Sequence, residues 1–119
     1  MRYNSFSLSI SGIRMASDFT RTYPTSGKFT SKQRDVYQIV CDCNNLAFSL
    51  VKPGITYRDV HLATARKMLE GLAALNLVHG DLDEMVALGI AGLFQPHGLG
   101  HNMGLDVHDN RTIERIEYR

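Results

Sequence analysis

Six positions near the C-terminal end set the strongest limit on what this chain can fold into: Gly89, Gly92, Pro96, Gly98, Gly100 and Gly104. Glycine lowers helix stability and proline breaks the backbone ladder, so no long regular helix can run through this stretch. Regular structure must therefore be built upstream of it. The same stretch holds three of the chain's five histidines, His97, His101 and His108, with Asp106 and Asp109 beside them. Histidine titrates near neutrality and is the commonest metal-binding side chain, so such a cluster in a glycine-rich loop is a candidate metal or substrate site. A helical zinc motif also spaces two histidines four apart, but it needs a helix and an intervening Glu. His97 and His101 have Gly98 and Gly100 between them, which rules that motif out.

Upstream, the pattern is helical. Thr30 followed by Gln33 forms a capping box, and Val36, Ile39, Val40, Cys43, Ala47 and Leu50 recur at helical spacing. This predicts one buried helix face, ended by Pro53-Gly54. Thr56 with Asp59 caps a second helix, with Val60, Ala63, Leu69 and Leu72 as its apolar stripe and an end near Leu75-Asn76. A short helix from Leu82 to Leu88, capped by Asp81, is expected next. The cluster Asp81, Asp83 and Glu84 reads as capping and dipole compensation. His61 reads as a packed or solvated helix histidine and His79 as a loop residue.

Before the helices, Phe6 to Ser11 alternates apolar and polar, as a half-buried strand does. Ser17 to Tyr23 reads as a second strand, pairing with residues 6–13 through a turn near Gly12. Residues 1–17 carry Arg2 and Arg14 and no acid, as organelle-targeting segments do, but interrupting serines favour a strand. The order predicts an α+β fold with helices on one face of a curved sheet.

Composition removes several functions. With 13 basic and 12 acidic residues the net charge is +1, which gives no bulk attraction to nucleic acid or anionic membrane. The apolar runs are too short to span a bilayer. Cys41 and Cys43 sit two apart on a predicted helix and point to different faces, which suits neither a disulfide nor a shared metal.

Two segments resemble one known family. Ser17-Asp18-Phe19-Thr20-Arg21-Thr22-Tyr23-Pro24, continued by Gly27-Lys28-Phe29-Thr30, resembles a signature strand of the Xaa-Pro aminopeptidase (aminopeptidase P) and prolidase family. Pro96 to His101 and Gly104 to Asp109 resemble its second signature. The stretch Gly71 to Asp83 looks more like aminopeptidase P than prolidase.

The resemblance implies a pita-bread metallopeptidase fold, a curved antiparallel sheet with helices on one face. It divides the chain into a divergent segment 1–15, a partial catalytic domain 16–109 and a divergent tail 110–119. It also implies a cytoplasmic enzyme that releases the residue preceding proline, using two divalent metals, manganese first among them. The substrate is then a peptide with proline in second position. The family's ligands are two Asp, one His and two Glu. Asp18 matches the second Asp and His101 the His, while His97 and His108 match the non-ligand histidines that bind substrate and stabilise the tetrahedral intermediate. In that chemistry a metal-bound hydroxide attacks and the metals polarise the scissile carbonyl.

The sequence also departs from the pattern. Ser7 stands where the family has its first Asp, and no carboxylate precedes Asp18. Glu114 and Glu117 lie too close to His101 to match the two Glu ligands and read as surface charges. The expectation is therefore a fragment inactive alone. The alternatives are a non-catalytic remnant that binds or assembles with a partner, or a piece of a prolidase. A half sheet also exposes an edge through which copies would self-associate.

Overall fold

The computed structural model describes residues 3–5 and 18–108 of the chain. The described residues form two compact units, one from those within 1–28 and 100–108 and the other from residues 29–99.

In the first unit, β1 (Tyr3–Ser5) pairs antiparallel with β2 (Thr22–Pro24), with Tyr3 opposite Pro24 and Ser5 opposite Thr22. The sequence pattern placed the second strand at residues 17–23. Asp18 to Arg21 are instead irregular, and the strand begins at Thr22. Pro24 occupies its end, the position a residue without an N–H tolerates. The expected first strand over 6–13, its turn at Gly12 and the position of Ser7 lie outside the described residues. The partner of β2 that is described is β1. The broad curved sheet is not found among the described residues, which form this two-stranded sheet.

The second unit is helical. Helix α1 (Ser31–Leu50) starts at Thr30, whose hydroxyl accepts the Gln33 N–H while the Gln33 side chain accepts the Thr30 N–H. Helix α2 (Tyr57–Ala74) repeats the device with Thr56 and Asp59. Asn76, at φ 56°, turns the chain out of α2. Helix α3 (Leu82–Ala87) is capped by Asp81, whose carboxylate accepts the Glu84 N–H. Asp83 pairs with Arg66 of α2. A 3₁₀ turn at Ile90–Leu93 follows Gly89, which takes the left-handed φ of 69° that glycine adopts without a Cβ penalty. No helix among the described residues is long and apolar enough to cross a membrane.

The core lies between α2, α3 and the 3₁₀ turn. Ala65, Leu69, Met85 and Ala91 are buried there, with Met68, Leu82 and Ile90 packed around them. Leu69 is 0% exposed. Val60 and Leu72 of the expected α2 stripe are buried as read, whereas Ala63 is half-buried and Thr64 and Ala65 are buried in its neighbourhood.

Helix α1 departs further from its sequence pattern. It has no fully buried residue, and Val36 and Val40 are 45% and 52% exposed. Of the expected stripe, Ile39, Cys43, Ala47 and Leu50 are half-buried, and so are Tyr37, Cys41 and Leu46 outside it. Ile39 meets α2 at Gly71, and the Cys43 thiol meets the Thr64 carbonyl at 3.6 Å. The reason is geometric: α1 touches one helix along one line, so only part of a wide apolar stripe can be covered. Both cysteines are free thiols. Burial, followed by the negative charge of Asp42, holds the Cys43 thiol above its ordinary pKa, so it stays protonated at neutrality.

The α2 cap carries a pH dependence. The Asp59 carboxylate accepts from the Thr56 hydroxyl at 2.6 Å and from the Thr56 N–H at 3.2 Å. These bonds, the side-chain one first, hold Asp59 below the usual carboxylate range. A depressed folded-state pKa contributes stability above the unfolded value of about 3.9 and loses it as pH falls through the folded value. Asp59→Asn is therefore expected to lower stability at neutral pH. Its difference from the wild type should vanish on acidification below that range, as read by urea midpoints across pH. A gap that persists unchanged into strong acid would show that the charge contributes nothing to the cap.

Candidate functional site

The irregular residues before β2 and the glycine-rich segment after Leu99 meet in the first unit. Asp18 and His101 stand 83 positions apart in sequence, yet His101 Nε2 lies 3.0 Å from Asp18 Oδ2. Their side chains are 30% and 31% exposed, so water screens the pair only in part. The other ring nitrogen, Nδ1, lies 3.1 Å from the carbonyl oxygen of Asn102. Carbonyl and carboxylate oxygens both accept, so the ring satisfies both when each nitrogen carries a proton. The Asn102 carbonyl first, then the Asp18 carboxylate, raise the His101 pKa above the ordinary histidine value.

His108 completes the group. Its ring stacks on that of His101 with centroids 3.9 Å apart and planes 11° from parallel. The chain turns back between them, with the Gly104 N–H donating to the Asp106 carbonyl at 3.1 Å. The seven-residue spacing gave no sign of this stack. His97 belongs to the helical unit. It is exposed, and its Nδ1 lies 2.9 Å from the carbonyl oxygen of Gly98. Asp109, Glu114 and Glu117 lie outside the described residues.

Among the described residues no group of three His, Cys, Asp or Glu side chains is arranged to hold a metal. Residues 1–17 contain none of these four residue types.

The chain is similar to known peptidases in both fold and sequence. Aminopeptidase PepP of Pseudomonas aeruginosa matches with a TM-score of 0.76 and 41% identity over 81% of this chain and 22% of its own. The zinc-substituted aminopeptidase P of Escherichia coli, solved in complex with product, matches with a TM-score of 0.73 and 40% identity over the same shares. In sequence, a probable Xaa-Pro aminopeptidase of Sclerotinia sclerotiorum is 44% identical over 94 residues, 79% of this chain and 17% of that protein. The Xaa-Pro dipeptidase of Mus musculus is 43% identical over 106 residues, 86% of this chain and 22% of that protein.

These similarities define the class as an aminopeptidase P-type metallopeptidase fold. The model of metallopeptidase family M24 matches residues 6–119, and the chain belongs to that family. It spans about a fifth of the length of the relatives it matches.

Proposed function

We propose that this chain is a piece of the catalytic domain of a metal-dependent Xaa-Pro aminopeptidase, with residues 16–109 as the catalytic portion. The observation that carries the reading is the meeting of Asp18 and His101, brought from opposite ends of the described chain to 3.0 Å. In a complete domain Asp18 and His101 would be metal ligands, with manganese the expected metal. His97 and His108 would face a peptide with proline in second position, in the cytoplasm. The name of the Sclerotinia sclerotiorum relative supports that substrate class. A second reading, a piece of a Xaa-Pro dipeptidase, is supported by the mouse enzyme, whose alignment takes in more of this chain than the fungal one does.

The residues present do not fit a two-metal centre. Of the two Asp, one His and two Glu that the family resemblance calls for, this chain supplies Asp18 and His101. A carboxylate with one imidazole is a weak site, because divalent metals are normally held by more protein ligands. No hydrolytic step is therefore assigned to the chain by itself. The purified chain with Mn²⁺ is expected to leave Xaa-Pro peptides intact. Residues 16–109 grafted in place of the matching segment of the Pseudomonas aeruginosa aminopeptidase are expected to give an active chimera, since the host supplies the remaining ligands. Asp18→Asn or His101→Ala should abolish its activity. A folded chimera with no release of the residue before proline would overturn the aminopeptidase reading. A parallel graft into the mouse dipeptidase decides between the two readings by which host is restored.

A further inference from the structure

The same Asp–His pair has a role in this chain that does not depend on metal. We infer that Asp18, His101 and His108 form a metal-independent clasp, fastening the segment 100–108 to the residues that lead into β2, and that this chain takes up no metal pair of its own.

The argument begins with the imidazole of His101. It has two ring nitrogens, and both face protein oxygens, Asp18 Oδ2 at 3.0 Å and the Asn102 carbonyl at 3.1 Å. A metal needs one of those nitrogens as a lone-pair donor, so it must first break one of these contacts. One face of the ring is covered by His108 at 3.9 Å, which fixes the ring plane in the orientation that serves the two oxygens.

The supply of further ligands is short as well. His108 stands beside the pair ring against ring, and no group of three His, Cys, Asp or Glu side chains among the described residues is arranged to hold a metal. The stretch 1–17 has none to bring. Two ligands that already satisfy each other bind a divalent ion only by losing that contact, and the ion gives back too few bonds to replace it. The clasp is thus what Asp18, His101 and His108 form with one another in this part of the fold. The inference rests on the residues of this chain and holds whichever peptidase the parent is.

The test uses the full 119-residue chain, Mn²⁺ as the probe and two readouts other than activity. First, the EPR signal of the aqueous ion should keep its full amplitude when equimolar Mn²⁺ and protein are mixed at submillimolar concentration. Second, Asp18→Asn should shift the ring-proton NMR resonances of both His101 and His108. It should also speed amide exchange across residues 100–108, by no more than about fivefold, as suits a partly exposed pair. The substitution should leave the Mn²⁺ signal unchanged. Loss of signal equivalent to one or more ions per wild-type chain would overturn the inference. So would histidine resonances that ignore Asp18→Asn. Neither result depends on the chimera, whose failure would instead count against the peptidase reading.

Discussion

Leu69→Ala is expected to remove cooperative unfolding from the helical unit. Leu69 is the one described side chain with no exposure that sits in the cluster joining α2, α3 and the 3₁₀ turn. Truncating a fully buried leucine costs about 2–5 kcal/mol, from lost transfer energy and from the cavity left behind. A single small core rarely supplies more than about 3–5 kcal/mol of net stability. The loss is therefore comparable to everything that holds the unit together. Urea titration followed by far-ultraviolet circular dichroism should show a broad, early loss of signal in place of a sigmoid. Leu69→Met conserves volume and should cost less than about 1.5 kcal/mol, leaving a transition with a lower midpoint. Equal midpoints for the alanine variant and the wild type would mean that Ala65, Met85 and Ala91 close over the gap.

Gly71→Ala is expected to destabilise the same unit, against the direction set by helix propensity. In a free helix this change gains about 1 kcal/mol. Here a Cβ on residue 71 would stand 2.6 Å from Ile39 Cγ1, 2.9 Å from Cδ1 and 2.9 Å from Cγ2. Two of those atoms are bonded to the Ile39 Cβ, so turning the side chain exchanges one clash for another. The backbones of α1 and α2 must move apart, and overpacking of this kind costs about 1–3 kcal/mol or more. The net change should be a loss of up to about 2 kcal/mol once the propensity gain is subtracted. Ile39→Ala removes all three clashing atoms. In that background Gly71→Ala should become stabilising, a reversal of sign that a double-mutant cycle reads directly. The same sign in both backgrounds would show that Gly71 is not the point where the two helices touch.

Both expectations depend on partners that the sequence pattern could not supply. The helix ends, by contrast, were legible residue by residue. Thr30 with Gln33 and Thr56 with Asp59 form the two capping boxes read from their spacing, and Asp81 caps α3 as expected. Capping is a contact between residues three apart, so the local sequence contains the whole interaction. The strands were read less well. Periodicity marked an extended segment at 17–23 but not where pairing begins, because pairing depends on a distant partner, and β1 makes the ladder only from Thr22 onward.

The glycine and histidine segment divides in the same way. Its irregular backbone followed from Gly89 to Gly104 alone, because glycine and proline act on their own φ angles and need no neighbours. The two signature segments were likewise enough to place the chain in its family. What the histidines touch was settled only by the fold. Asp18 contacts His101 across 83 positions, and His108 stacks on that ring. A residue's type announces that it can give or take a proton or hold a metal. Whether its atoms are free to do so depends on which oxygens and rings the folded chain sets against them, and that is a property of three-dimensional placement.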